Sequence, residues 1–577
     1  MLKTYDDIDR ELSTLSEKTR RLRRERNALT PTCRLPPEVL SMIFVSVTDA
    51  EPLAEPQDFT APRIKNWYPI LHVCKRWRAV ALECPTLWNR IDVTSPLWAQ
   101  EMLRLSKKAP LILKAEGYSM HSRMTETCKS VMAESERLST LHLSGFRECL
   151  FALCLGLKQA PNLRSLVLRH CHWLADVNAL ELPESFLENG APRLERLELQ
   201  KCAMSWDAPL FTSSPNVTRL MVQGVDKARP TYAQLLRTLS NMSSLEHLHL
   251  DNVLPTPDPG LVDVSPIHLA LRTLYLSGTT SELASFFRYF SIPPTVSASI
   301  TCRQPTRLED ITDLLSTFVQ SRKGSHGTPS ETLRSWSLSF TPNSFFLAGS
   351  VDGATSRISP YNGNPSPIEN SLALTINMSS KGSSFLWSVI QSLLHNLPIA
   401  LTATTSLIVN DDGNFMECYR WQYLMQHMPN ISTLRTYRFA AMNLFTTLDP
   451  TKPVKDNKDD SYSSTPLFPR LELLDLHNVN LGWTVQPGSI PLLQSLQDTQ
   501  ITRSNAADPM PIDTLHISGC LNVGQQEVKT LCHLFTVLEW DGFEVYVPTP
   551  HYVEPPGSLE REGEWILSFG WDDWHTL

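Results

Sequence analysis

Apolar positions along this chain fall into three regimes. Between residues 5 and 30 they step alternately by three and four: Ile8, Leu12, Leu15, Thr19, Leu22 and Leu29, with Arg26 as a polar interruption. That is the seam of a coiled-coil-like helix of about three heptads, stopped by Pro31. Between residues 35 and 88 two shorter helical stripes occur. In the first, Leu40, Ile43, Phe44 and Val47 recur at i, i+3, i+4 and i+7 behind the helix-starting Pro36 and Pro37, and Glu38 sits where a negative charge complements the helix dipole. In the second, Ile70, Val73, Cys74, Trp77 and Ala81 repeat the signal, with Lys75, Arg76 and Arg78 on the other face, Pro85 as the stop and Leu87 and Trp88 as an apolar tail.

The third regime is a degenerate repeat. The motif L-x-x-L-x-L occurs at Leu138 to Leu143, Leu163 to Leu168, Leu194 to Leu199, Val217 to Val222, Leu245 to Leu250 and Leu271 to Leu276, with early spacings of 23 to 31 residues. It continues less cleanly at Leu333 to Leu338 and Leu434 to Phe439, and returns at Leu471 to Leu476 and Ile512 to Ile517. Several copies reach a small or apolar residue three positions on: Cys171, Cys202, Val253, Val479 and Cys520. Each copy predicts a short strand whose leucines point into a core and whose intervening side chains point outward. One unit cannot bury its apolar face, but a stack can. The pattern resembles leucine-rich repeats over residues 135–545, which implies a curved α/β solenoid, a horseshoe, with a concave strand face as its recognition surface.

The helical pair at 35–88 resembles an F-box. Leu35, Pro36, Glu38, Val39 and Leu40 match its opening, Ile43 and Phe44 its Ile-Phe pair, Val73 to Arg78 its Val-Cys-Lys-x-Trp-Arg segment, and Leu87 and Trp88 its close. The resemblance implies docking onto the Skp-type adaptor of a cullin–RING ubiquitin ligase. It implies adaptor contact for Leu35, Pro36, Val39, Leu40, Ile43, Phe44, Val73, Cys74, Trp77 and Trp88. The Pro-rich insert at 48–66 is longer than in the common form and is similar to the F-box variety abundant in mushroom-forming fungi.

Composition narrows the function. A net charge of −8 over 577 residues argues against bulk attraction to nucleic acid. No apolar run is long enough to span a membrane. The polar start, MLKTYDDIDRELSTLSEK, lacks the apolar core of a secretory signal, so a cytoplasmic or nuclear protein is expected. Twelve cysteines without a C-x-x-C pair form neither a disulfide framework nor a zinc site. No P-loop, dinucleotide fingerprint, H-E-x-x-H or G-x-S-x-G motif is present, so no enzyme, metal or cofactor is expected.

The expected order is therefore a coiled-coil-like helix at 1–31, the F-box at 32–95, a connecting helical segment at 96–134, and repeats at 135–545. Disordered insertions near 349–370 and 447–466 and a cap or tail at 546–577 complete it. The N-terminal helix has three readings: packing beside the F-box, weak self-association, or a basic signal at Arg20 to Arg26. Candidate substrate-facing residues on the strands are His142, Arg169, Arg196, Glu198, Gln200, His247, His249, Asp251, Tyr275, Asp475, His477 and His516. His142, His249 and His516 share one repeat position, which raises a histidine-lined groove that switches near pH 6–7. The expected function is substrate recognition in a cullin–RING ligase. The alternative is a non-catalytic scaffold whose F-box is vestigial or works outside a ligase.

Overall fold

The structure, a computed structural model, describes residues 4–547 apart from 50–66, 116–121, 172–178, 225–228, 258–264, 294, 304–306, 322–333, 342–343, 351–370, 378–382, 397–400, 452–453, 456–461, 464–467 and 486–488. The chain divides into two compact units, Met1–Leu271 and Arg272–Leu577. Among the described residues no helix is long and apolar enough to cross a membrane.

The first unit opens with helices α1 (Tyr5–Ala28), α2 (Pro31–Arg34), α3 (Pro37–Asp49), α4 (Ile70–Val73) and α5 (Lys75–Glu83). A capping box starts α1: the Thr4 hydroxyl accepts from the Asp7 N–H, and the Asp7 carboxylate accepts from the Thr4 N–H. A parallel sheet follows, made of β1 (Arg90–Ile91), β2 (Leu111–Ala115), β3 (Leu138–Gly145), β4 (Ser165–His170), β5 (Arg196–Gln200), β6 (Arg219–Gln223) and β7 (His247–Asp251). Each strand pairs with the next in chain order.

Register explains the amphipathic strands. Leu113, Leu141, Leu166, Leu197, Leu220 and Leu248 form one cross-strand row, and all are buried. The alternate row on the opposite face runs Lys114, His142, Val167, Glu198, Met221 and His249. Side chains alternate between faces along a strand, so the leucine spacing of the motif selects the buried face. Strand exits are also regular. Lys201, Gly224 and Asn252, each directly after a strand, take positive φ and turn the chain away from the sheet.

The second unit contains β8 (Thr273–Gly278), β9 (Ser297–Arg303), β10 (Ser335–Thr341), β11 (Ser344–Ser350), β12 (Ser371–Asn377), β13 (Ser406–Asp411), β14 (Thr433–Arg438), β15 (Leu473–His477), β16 (Thr514–Ser518) and β17 (Val537–Trp540). From β13 to β17 neighbours again pair in parallel and in chain order. Between β9 and β13 the order changes. β12 pairs with β9, β11 lies antiparallel between β12 and β10, and β10 pairs with β13.

Several expectations change here. The sheet begins before residue 135: β1 lies in the F-box tail and β2 in the segment expected to be helical. Strands β9, β11, β12 and β13 carry no L-x-x-L-x-L motif, and the hairpin at β10–β11 interrupts the one-strand-per-unit pattern. Residues 349–350 belong to β11, while 351–370 lie outside the described residues. Within 447–466, expected as disordered, Val454–Lys455 pairs antiparallel with Tyr462–Ser463. Of the tail, 548–577 lies outside the described residues, and Tyr546 donates to the Glu527 carboxylate at 2.9 Å.

Candidate docking surface

Helix α3 is apolar on nearly every side, and the fold divides it into two arcs. Leu40 and Phe44 face inward, each 1% exposed, with Thr48 one turn on. Phe44 meets Trp77 of α5 with ring centroids 5.2 Å apart. Trp88, also 1% exposed, meets Trp67 edge-on at 5.2 Å and donates its indole N–H to the Ala81 carbonyl at 2.7 Å. Ile70, Leu71, Val80, Ala81 and Leu87 complete this core.

The outer arc of α3 has no such cover. Val39 is 39% exposed, Met42 69%, Ile43 42% and Val47 43%, and Val73 of α4 is 53% exposed. At 100° per residue, Val39, Met42, Ile43 and Val47 lie on one arc of the helix and Leu40 and Phe44 on another. Helices with apolar residues on all sides are normally buried on all sides. The open apolar arc on this helix is a candidate contact surface.

The sequence-predicted adaptor residues accordingly separate. Val39, Ile43 and Val73 are exposed, as is Pro36; Leu35, Cys74 and Trp77 are half-buried. Leu40, Phe44 and Trp88 are buried here, their side chains filling the module's own core. Met42 and Val47 are additions. Met42 lies three residues after Val39, so the signal was present in the same periodicity. Local geometry ties the two halves together. Arg76 donates to the Leu35 carbonyl at 2.7 Å, and the Cys74 sulfur caps α5 by accepting from the Trp77 N–H at 3.4 Å. Most of the Pro-rich insert, residues 50–66, lies outside the described residues.

The docking module is joined to the sheet through its own backbone. β1 follows Trp88 directly and pairs with β2, and the Ile112 N–H donates to the Asn89 carbonyl at 2.9 Å. Arg90 also donates to the Thr48 carbonyl at the end of α3 at 3.3 Å. Helix α3 is thereby tied to the strands of the first unit.

The open sheet face of that unit is a charged lattice. Glu198 is buried and accepts from Arg196 Nε at 2.7 Å, with Arg169 Nη2 3.7 Å from its other oxygen. Gln200 reaches the Met221 sulfur, and Asp251 accepts from Gln223 at 2.9 Å. A shallow depression along the strand starts is lined by Thr140, Arg164, Ser165, Glu195, Arg196, Arg219 and His247, with Arg164 and Glu195 paired at 2.8 Å.

The histidine groove does not form as expected. His142 and His249 share a row but stand four strands apart, roughly 19 Å at the usual strand spacing. His142 is buried, with Nε2 2.8 Å from the Ser165 hydroxyl. Burial, then the cationic Lys114, Arg196 and Arg169, push its pKa down to about 3. Burial also lowers that of His249, against the opposing pull of Asp251 and Glu198. His142, with a pKa near 3, does not change charge at pH 6–7.

In the second unit Asp475 is buried between Arg435, at 2.6 Å, and His477, at 2.8 Å. Burial raises the Asp475 carboxyl, but His477 and Arg435 outweigh it and hold the pKa below the usual range. His477 stacks on Tyr437 at 4.9 Å, and His516 lies 3.3 Å from Glu539. Tyr275 is half-buried on β8 opposite Ser299. Of the repeat cysteines, Cys202 and Cys520 are buried, whereas Cys171 is half-buried against the Ser144 hydroxyl at 3.1 Å.

Comparison with known families gives one finding for this region: the F-box-like family matches residues 32–94. The matched segment contains α3, α4, α5 and the exposed arc. No curated protein matches the chain.

Proposed function

We propose that this chain is a substrate-recognition subunit of an SCF-type cullin–RING ubiquitin ligase. The F-box-like domain docks the Skp-type adaptor, and through it a cullin, while the strand faces hold a target protein. The observation that carries the reading is the apolar arc Val39, Met42, Ile43, Val47 and Val73, left open on a domain whose family binds such adaptors. The area still exposed on these five amounts to about two and a half whole side chains. Covering it is worth of the order of 5 kcal/mol before association costs.

The leucine-rich-repeat reading of the strands is supported by parallel neighbours in chain order, by leucine rows on the buried face and by the positive-φ strand exits. The hairpin at β10–β11 makes the array irregular. The chain contributes proximity and orientation, and the transfer of ubiquitin takes place on other subunits. The backbone join between the module and the sheet suits that role, because a target held on the strands of the first unit keeps a set attitude to the adaptor. Localisation follows as cytoplasmic or nuclear.

The test is assembly. Full-length chain mixed with adaptor and cullin is expected to co-elute as a ternary complex in size-exclusion chromatography. The Met42→Glu/Ile43→Glu variant, which replaces only exposed residues, is expected to elute alone. Co-elution of the variant at wild-type levels sinks the proposed surface.

A further inference from the structure

Helix α1 poses a problem that adaptor docking does not solve. From Tyr5 to Ala28 no residue is buried, and all but Asp7 and Asn27 are classed as exposed. Its seam is apolar nonetheless: Ile8, Leu12, Leu15, Leu22 and Leu29 are each 43–69% exposed. The expectation that the helix packs beside the F-box is not met by the described residues. A solvated helix gains little from propensity alone, and a leucine seam at heptad spacing is the pattern that a partner helix covers.

The charge distribution selects the partner. The first half of α1 carries Asp6, Asp7, Asp9 and Glu11 against Arg10, and the second half carries Lys18, Arg20, Arg21, Arg23, Arg24 and Arg26 against Glu17 and Glu25, so the two halves keep opposite net charge. Side by side and parallel, two copies set acid on acid and base on base. Reversed, each acidic half lies on a basic half.

We propose that α1 binds the α1 of a second copy of this chain as a short antiparallel coiled coil over residues 5–22, centred between Ser13 and Thr14. In this register Tyr5 meets the second copy's Leu22, Ile8 its Thr19, and Leu12 its Leu15, and the same layers recur in mirror order. Arg26 stays outside the seam, which removes the one charged residue from the apolar layer. Glu11 and Lys18 occupy flanking positions and face each other in two symmetry-related contacts along one side of the pair. In the parallel alternative the flanking position of Lys18 faces Arg23, a repulsive contact.

Sedimentation velocity on the full-length chain from about 1 to 200 µM tests this. The expected result is a concentration-dependent monomer–dimer equilibrium, abolished by Leu12→Glu/Leu15→Glu. Because α1 contributes nothing buried, these variants keep the rest of the fold, and circular dichroism together with adaptor binding checks that they do. Orientation is read from charge. Lys18→Glu alone weakens the dimer several-fold, and Glu11→Lys/Lys18→Glu restores it. A chain monomeric at every concentration, a dimer indifferent to Leu12→Glu/Leu15→Glu, or a dimer tightened by Lys18→Glu overturns the proposal.

Discussion

Adjacent residues on α3 are expected to behave in opposite ways. Phe44 is 1% exposed and packs on Trp77, whereas Ile43, one position earlier, is 42% exposed. Truncating a buried Phe to Ala removes its transfer energy and leaves a cavity, which together cost about 3–5 kcal/mol. Fully burying an Ile is worth about 1.5–3 kcal/mol, so covering the 42% still open on docking is worth about 1 kcal/mol. Hydrogen exchange read by mass spectrometry on peptides covering 37–49 reports the first quantity without requiring the two units to unfold together. Phe44→Ala should raise exchange there by about 10²–10⁴-fold where opening of the module controls it. Ile43→Ala should raise exchange by no more than about tenfold and weaken adaptor binding by about fivefold. Equal exchange in the two variants, or protection lost in Ile43→Ala instead, would refute the division of α3 into a buried and an open arc.

Other predictions rest on single sites. The His142 pKa lies well below its unfolded value near 6.5, so the unfolded chain binds that proton first; stability of the first unit should fall as pH drops from 6.5 towards 3, and His142→Asn should flatten the profile in acid melts. Gly519→Ala should destabilise the second unit by about 2 kcal/mol in urea melts, because φ is +59° and an added Cβ runs into Asn478 Oδ1; Gly413→Ala, with open space around it, should be near neutral. Arg503 is fully buried and donates to the carbonyls of Met510, Phe468 and Leu448; Arg503→Met should cost about 3 kcal/mol or more, and Arg503→Lys should not rescue it, since one ammonium cannot span three separate acceptors.

Legibility in the sequence followed the strength of local periodicity. The helices of the docking module and the strands β3 to β7 were readable because their apolar spacing of 3.6 or 2 matches the element. Strand β2 was missed because LILKA is short and stands alone. Strands β9 and β12 were missed because serine, alanine and threonine hold positions that leucine holds elsewhere. The β10–β11 hairpin is a matter of which strand lies beside which, and no local pattern encodes it. On α3 the failure was different. Leu40 and Ile43 belong to the same apolar stripe, and only the placement of α5 and Trp88 decides which of them is covered. The environment of His142 was equally hidden, since Ser165, Lys114 and Arg169 come from the strands on either side of it.

The central claim is that the open arc of α3 and α4 holds the adaptor. Calorimetric titration of purified Skp-type adaptor into the full-length chain tests it most directly, beside Ile43→Glu/Val73→Glu. The account predicts one-to-one binding by the intact chain and no measurable heat of binding by the variant, with the module core still protected from hydrogen exchange. Absence of binding by the intact, folded chain would contradict it, and so would equal affinity in the variant.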